Sequence, residues 1–178
     1  MPLTPELVHD RARRVRLILL DVDGVLTDGT VDIHSTGGES KPFFIRDGLG
    51  MVWARREGIE VGLLSGRPSE ATTRRAGELG LQIVSQGSHD KRGAFAHILS
   101  THGFAVEDVA YMGDDLVDLP ILRQAGLSTA PADAVDDVRS RVDWVSRHPG
   151  GRGAVRELVE LVLSAQGRWA GIVNAHQA

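Results

Sequence analysis

Two acids, one residue apart, close the first apolar run of the chain. Asp21 and Asp23 follow residues 17–20, which read Leu-Ile-Leu-Leu. A carboxylate at the buried end of a strand is costly unless it has a partner. Residues i and i+2 of a strand point to the same side, so this spacing aims both carboxylates at one ligand if the strand continues through them. One of them can attack as a nucleophile while the other transfers protons.

Other polar residues follow the predicted strands further along the chain or begin the helices behind them. Ligands of an open α/β sheet bind beyond the carboxyl ends of its strands. We therefore expect these side chains to converge with Asp21 and Asp23 on one rim of the sheet. The residues are Ser65, Arg67, Lys91, Asp114 and Asp115, and the backbone of Gly66 lies beside them in sequence.

This set of side chains suits phosphoryl transfer. Clustered carboxylates favour a hard cation such as Mg²⁺, which would screen the nucleophile from the charge of a phosphate. A serine hydroxyl and a lysine ammonium can hold the phosphoryl oxygens by position and charge. The chain contains no cysteine, so a thiolate metal site is excluded. The histidines lack ligand spacing, and we interpret His34, His89, His97, His102 and His148 as ordinary surface or loop residues.

The elements that must position these residues alternate along the chain. Short apolar runs alternate with helical patterns, which predicts a three-layer, Rossmann-like α/β fold with a parallel sheet. Strands are predicted at 16–20, 61–65, 81–85, 109–112, 127–130 and 144–145. Helices are predicted at 48–57, 69–79, 91–102, 116–124, 134–140 and 154–166.

One segment breaks this alternation. Val31 and Ile33 precede a Thr-Gly-Gly turn, and Phe43 and Ile45 follow it at a period of two, so residues 29–45 are predicted to form a β-hairpin. The whole chain, 1–178, is predicted to be one domain. Its tail, 168–178, is weakly patterned and is expected to be mobile or to contact a neighbour.

Composition excludes several classes of protein. The 178 residues are 42 % hydrophobic and 25 % charged, and the net charge of −4 gives no indication of a nucleic-acid partner. The four apolar residues before Asp21 are too few for a signal-peptide core or a membrane span. We therefore expect a cytoplasmic protein with no membrane partner.

Four ordered motifs resemble those of the haloacid dehalogenase (HAD) superfamily. They are DVDGVLTDG at 21–29, SGR at 65–67, Lys91, and GDDLVD at 113–118. The hairpin, the FFIRDGLG segment at 43–50 and the HPGGRGAVRE segment at 148–157 are similar to its capless 3-deoxy-D-manno-octulosonate 8-phosphate (Kdo8P) phosphatase branch. The resemblance covers about residues 16–167 and implies a Mg²⁺-dependent enzyme of lipopolysaccharide biosynthesis that acts on a phosphorylated sugar acid.

The resemblance also implies roles for single residues. Asp21 would be the nucleophile and a Mg²⁺ ligand, and Asp23 would be the acid–base group whose backbone carbonyl also binds the metal. Asp114 would be the third ligand, with Asp115 orienting the site. Phosphate would be bound by Ser65, Gly66 and Lys91. The carboxylate of the sugar acid would meet an arginine fork, for which the candidates are Arg46, Arg67 and Arg75.

There is no room for a cap domain. Only 42 positions separate Asp23 from Ser65, and 26 separate Ser65 from Lys91. In the family, a homotetramer with a central barrel of hairpins covers the open site. Exposed hairpin edges need such a partner, so a homotetramer with residues 29–45 at the interface is expected here too.

Alternatives to this interpretation remain. Phe44 and Val52 stand where Kdo8P phosphatases commonly have a polar residue and an arginine, so a nine-carbon sugar acid phosphate or another small phosphoester is an alternative substrate. A non-catalytic oligomerisation module of sugar-nucleotide synthesis would have lost Asp21, Asp23 or Lys91, all of which are present. A phosphoacceptor signalling domain would have its acids in another order. Asp118 is open to two interpretations, a helix-dipole residue or a site residue.

Overall fold

The computed structural model describes residues 3–177 of the chain. Eight strands occur in chain order: β1 Leu17–Leu20, β2 Asp32–Ile33, β3 Glu39–Ser40, β4 Glu60–Ser65, β5 Ile83–Gln86, β6 Val109–Met112, β7 Leu127–Ala130 and β8 Trp144–Val145. Six of them form a parallel sheet in the order β5-β4-β1-β6-β7-β8. β2 and β3 form a separate antiparallel pair.

Eight α-helices within residues 3–177 flank the sheet. They are α1 Pro5–Ala12, α2 Ile45–Arg56, α3 Glu70–Glu78, α4 Lys91–His102, α5 Leu119–Leu122, α6 Asp136–Arg139, α7 Ala154–Ala165 and α8 Trp169–Ala175. The predicted Rossmann-like fold is confirmed. Between Asp23 and Lys91 the chain forms only the hairpin, α2, β4, α3 and β5, so residues 3–177 contain no cap domain.

The middle strand, β1, explains the apolar run before the acids. All four of its side chains are fully buried. Ile18 and Leu20 belong to the core cluster with α1, α2 and α7, whereas Leu17 and Leu19 belong to the cluster with α4 and α5. A central parallel strand is covered by helices on both faces, so its residues are apolar without alternation.

The strand order places a crevice at the end of β1. Leu20 pairs with Leu63 of β4 on one side and with Met112 of β6 on the other. β4 and β5 lie on one side of β1, and β6, β7 and β8 extend the sheet on the other, which is the arrangement that opens a binding crevice at the carboxyl edge. Asp21 lies at this point.

The predicted hairpin forms, but its strands are only two residues long. β3 ends at Ser40, and α2 begins at Ile45 rather than at residue 48. The expected strand period at Phe43 and Ile45 was wrong, because Pro42 lacks the backbone N–H that a longer strand would need. The side chain of Ile33 is left 79 % exposed.

Other boundaries also differ from the sequence prediction. The N–H of Leu81 bonds to the carbonyl of Ala76, 2.9 Å away, so β5 begins only at Ile83. The helix predicted at 116–124 is divided into a 3₁₀ turn and the four-residue α5, because Pro120 has no N–H for a longer helix.

The tail contains α8, which packs on its own chain. The guanidinium of Arg156 lies 4.2 Å from the ring centre of Trp53 and 5.1 Å from that of Trp169. The two tryptophan rings are 5.5 Å apart. Cation–π and aromatic contacts therefore hold α8 against α2 and α7.

Candidate active site

The turn after β1 places Asp21 at the base of the site. Its N–H donates to the carbonyl of Met112, 3.0 Å away, which extends the pairing of β1 with β6 by one residue. The turn then passes through Gly24, which has a φ of +86° and lies so close to Asp114 that a Cβ would come within 2.0 Å of its Oδ2. Only glycine fits both the conformation and the approach.

Lys91 begins α4, an unusual place for a cation. The N-terminus of a helix carries partial positive charge, so a lysine is unfavourable there. Its Nζ lies 2.9 Å from Asp21 Oδ2 and 2.7 Å from Asp118 Oδ1, and its side chain is only 7 % exposed. Asp90 caps the same helix by accepting the N–H of Gly93 at 2.9 Å. The two buried carboxylates compensate for the unfavourable position of Lys91.

Asp118 is a site residue rather than a helix-dipole residue. It is fully buried, and its Oδ1 accepts from Lys91 and from the hydroxyl of Tyr111 at 2.6 Å. Its Oδ2 accepts the N–H groups of Asp114 at 3.1 Å and Asp115 at 3.3 Å. Asp118 therefore fixes both the lysine and the turn that carries Asp114. The sequence signal was its spacing of four from Asp114.

A cavity of about 430 Å³ lies in this crevice. Eight of the ten predicted site residues line it: Asp21, Asp23, Ser65, Gly66, Arg67, Lys91, Asp114 and Asp115. His89 and Val117 line it as well. His89 is an exposed loop residue, as the sequence analysis expected, and the loop before α4 brings it to the cavity wall.

Two of the predicted site residues lie outside this cavity. Arg46 lines a different cavity, of about 420 Å³, and its guanidinium is 6.0 Å from the ring centre of Phe44. Arg75 donates to Glu78 at 3.2 Å and packs beside Gly48. Neither arginine reaches the site within one chain, and their roles stay predictions.

Two charged residues of the hairpin contact residues of the cavity wall, although no motif in the sequence indicates them. Lys41 Nζ lies 2.6 Å from Asp23 Oδ1 and 3.8 Å from Glu39 Oε1. Glu39 also pairs with Arg67. The one available signal was that Lys41 is one of only two lysines in the chain, the other being Lys91.

The acids at the base of the cavity resist ionisation. Burial and the carboxylate of Asp118 raise the pKa of Asp21 to about 6, against the opposing effect of Lys91. Burial, Asp118 and Asp21 raise the pKa of Asp114 to about 8. Burial alone would lower the pKa of Lys91, but Asp21 and Asp118 raise it above its ordinary value. The cluster therefore has more negative charge than Lys91 compensates.

These residues fit a magnesium ion. Carboxylate oxygens of Asp21, Asp114 and Asp118 lie within 4.8 Å of one another. The oxygens of Asp118 already accept four hydrogen bonds, which leaves the carboxylates of Asp21 and Asp114 for a cation. Mg²⁺ prefers such oxygen ligands, usually one or two carboxylates completed by water and phosphate.

Known proteins are similar to this chain in sequence. Residues 71–158 match the family model of haloacid dehalogenase-like hydrolases. The 3-deoxy-D-manno-octulosonate 8-phosphate phosphatase of Escherichia coli K12 is 44 % identical over 158 residues, which cover 89 % of this chain and 84 % of that protein. The chain belongs to the haloacid dehalogenase superfamily. The family and the fold that the four ordered motifs implied are therefore confirmed.

Solved structures place this HAD-superfamily chain in the Kdo8P phosphatase branch. The phosphatase from Yersinia pestis has a TM-score of 0.92 and 41 % identity, over 93 % of this chain and 90 % of that one. The phosphatase from Moraxella catarrhalis, in complex with magnesium, phosphate and a Kdo molecule, has a TM-score of 0.94 and 35 % identity, over 97 % and 99 % of the chains.

No helix within residues 3–177 is long and apolar enough to span a bilayer.

Proposed function

We propose that this chain is a Mg²⁺-dependent phosphomonoesterase that hydrolyses 3-deoxy-D-manno-octulosonate 8-phosphate. The observation that carries the proposal is the cavity at the end of β1, where Asp21, Asp114 and Lys91 converge. The relatives support the substrate, since their names specify this phosphatase activity and one of them binds magnesium, phosphate and Kdo.

The reaction proceeds in two displacements. The carboxylate of Asp21 attacks phosphorus, the bond from phosphorus to the sugar oxygen breaks, and the carboxyl of Asp23 gives its proton to that oxygen. Asp23, now ionised, takes a proton from a water molecule that attacks the phosphorus of the aspartyl-phosphate. Inorganic phosphate leaves and Asp21 is regenerated. One residue thus serves as acid and then as base.

The remaining residues position the phosphate. Lys91 and the hydroxyl of Ser65, with the backbone at Gly66, hold its non-bridging oxygens, and Asp115 lies at the same wall of the cavity. The carboxylates of Asp21 and Asp114 and the carbonyl of Asp23 would bind Mg²⁺. When bound, Mg²⁺ supplies positive charge that neutralises the acids and stabilises the charge on the phosphoryl oxygens.

We propose a homotetramer that encloses this open site. The short hairpin supports the proposal, because it has the exposed Ile33 at its surface and few residues to pair its own edges. The positions of Arg46 and Arg75 are consistent with it, since a neighbouring subunit offers a way for such residues to meet a substrate. The family resemblance supports the cytoplasm as the compartment and lipopolysaccharide biosynthesis as the pathway.

A nine-carbon sugar acid phosphate is the second candidate substrate. Phe44 and Val52 favour it, because they replace a polar residue and an arginine. Neither residue lines the cavity within one chain, because Phe44 directly precedes α2 and Val52 lies inside that helix. They would therefore act on specificity through a subunit interface.

A substrate panel tests the proposal. The purified protein with Mg²⁺ is given Kdo8P, nine-carbon sugar acid 9-phosphates and simple sugar phosphates, and phosphate release is measured. We expect the highest kcat/KM on Kdo8P, and no turnover by Asp21→Asn. A higher kcat/KM on the nine-carbon compounds would favour the second candidate. Uniformly poor rates, equal to those of Asp21→Asn, would contradict a phosphatase and favour the non-catalytic module.

A further inference from the structure

Lys41 is a buried lysine that the reaction described above does not use. It follows β3 at the base of the hairpin, and its side chain has no exposed surface. Lysine is almost never fully buried unless it is paired. Its Nζ meets Asp23 Oδ1 at 2.6 Å, and Lys41 is not part of the cavity wall. Any effect of Lys41 on a substrate must therefore pass through another residue.

A chain of alternating charges connects this lysine to both sides of the site. Asp23, on the turn after β1, pairs with Lys41, whose next acidic neighbour is Glu39 at 3.8 Å. Glu39 pairs in turn with Arg67, which follows β4 and lines the cavity. The hairpin thus lies between Asp23 and the loop after β4 that carries Arg67. It contributes Lys41 as a cation and Glu39 as an anion to this series of ion pairs.

We propose that Lys41 is a positioning residue, which holds the carboxylate of Asp23 toward the leaving oxygen and so links the hairpin to proton transfer. The proposal rests on the phosphatase function proposed above. The ammonium engages Oδ1 and leaves Oδ2 for the transferred proton. Without Lys41 the carboxyl would be free to rotate, and small misplacements of a reacting group lower rates strongly.

The dependence of the rate on the leaving group distinguishes positioning from mere anchoring. A sugar alkoxide needs a proton as it departs, whereas the nitrophenolate of p-nitrophenyl phosphate is a stable leaving group that does not. The value of kcat/KM reports only the steps up to the first displacement. A variant that misplaces the acid should therefore lose kcat/KM on the sugar phosphate alone, while a damaged fold or phosphate site should lose it on both.

The experiment compares Lys41→Met with wild type on the preferred sugar acid phosphate and on p-nitrophenyl phosphate. We expect kcat/KM on the sugar phosphate to fall roughly tenfold to a hundredfold, below the loss for removing an acid outright, and the aryl phosphate value to stay within about twofold. In an Asp23→Asn background, Lys41→Met should have no further effect on the sugar phosphate. Arg13→Met, which removes an exposed cation paired with Asp10, is the matched control and should leave both values unchanged.

Glu39→Gln keeps the proposal falsifiable if Lys41→Met does not fold. It neutralises the acid beyond Lys41 without touching Asp23, and we expect a smaller loss, about threefold to tenfold, again confined to the sugar phosphate. Equal losses on both substrates, or no loss in either variant, would overturn the proposal. Failure of the wild type to hydrolyse any sugar acid phosphate would instead contradict the proposed function.

Discussion

Two buried acids contact the same lysine, but only one of them can react with a substrate. Asp21 and Asp118 both lie within 3 Å of Lys91 Nζ. Asp118 accepts four hydrogen bonds and is fully buried, so it has no oxygen to offer a substrate. Asp21 lines the cavity. At the scale of the residue, reactivity therefore depends on which carboxylate has lone pairs left and faces open space.

Asp118→Asn tests this structural role. The amide removes the negative charge next to Lys91 and replaces one acceptor of the Asp114 turn with a donor. We expect the free energy of unfolding to fall by about 3 kcal/mol, the lower end for a broken buried ion pair, because Lys91 keeps its contact with Asp21. Urea denaturation measures the change.

Asp137→Asn provides the control for this substitution. It breaks an exposed pair with Arg141, in which the two side chains are 63 % and 47 % exposed, and should change stability by less than about 0.5 kcal/mol. If Asp118→Asn were as mild as the control, Asp118 could not be the group that fixes Lys91.

At the scale of the element, glycines let separate loops close around the acids. The loop between β8 and α7 packs on the turn after β1, where a Cβ on Gly150 would lie 1.8 Å from the carbonyl oxygen of Gly24. The N–H of Gly151 donates to the carbonyl of Val25 at 2.9 Å. Asp47 of α2 caps α7 by accepting the N–H of Arg156 at 2.8 Å. The turn that carries Asp23 is thus supported by α7 through this loop.

Gly150→Ala is expected to disturb the site from outside the cavity. The added methyl group would meet backbone rather than a flexible side chain, so the loop or the turn of Gly24 must move. We expect a loss of about 1–3 kcal/mol in the free energy of unfolding, as for other overpacked sites, together with a lower kcat. Thermal unfolding and steady-state kinetics measure the two effects.

Gly77→Ala is the matched substitution for comparison. Gly77 lies in α3 and a Cβ there would meet nothing within 4 Å. Alanine should stabilise the helix by up to about 1 kcal/mol and leave kcat unchanged. A wild-type kcat in Gly150→Ala would show that the loop before α7 does not support the catalytic turn.

At the scale of the whole molecule, two features call for partners that one chain does not supply. The base of the cavity holds two acids with raised pKa values. Burial and mutual repulsion raise the pKa of Asp21 to about 6 and that of Asp114 to about 8. The hairpin presents the exposed Ile33 and two-residue strands. A cation would satisfy the first feature and further copies of the chain the second.

The effect of Mg²⁺ on stability should depend on pH. Raised carboxyl pKa values mean that the metal-free fold is favoured by the protonated acids and loses stability as pH rises through about 6 and 8. A cation requires the ionised acids, so it must displace protons at low pH. We expect the rise in Tm caused by Mg²⁺, relative to a chelator, to increase from pH 6 to pH 8. A constant or decreasing shift would contradict the assignment of Asp21 and Asp114 as ligands.

Ile33→Asp tests the proposed assembly. Ile33 is exposed in the single chain, so a charged residue there should leave the fold intact. If hairpins associate, burying this aspartate at an interface is unfavourable and the tetramer should dissociate. Sedimentation velocity measures the mass, with Val84→Asp as a control at another exposed apolar site on the sheet edge. A monomeric wild type that is fully active would contradict the tetramer.

The local patterns of the chain determined the strand-end chemistry. Asp21, Ser65, Lys91 and Asp114 each sit at a junction of strand, loop and helix, and parallel strands necessarily bring such junctions to one edge. This placement depends on periodicity and connection order, which are local properties. For the same reason the sheet and most of its strands could be predicted, whereas the element ends shifted wherever Pro42 or Pro120 interrupted backbone pairing.

Tertiary structure alone decided which charges meet. Lys41 pairs with Asp23 across 18 positions, Glu39 with Arg67 across 28, and Lys91 with Asp118 across 27. Such pairs have no period or spacing to indicate them, because they form only when separate elements pack. The same packing saturates Asp118 with hydrogen bonds and places Asp21, which contacts Lys91, at the cavity wall. Residue type and order thus determined the reaction that this chain can perform, and long-range packing determined how each acid is held for it.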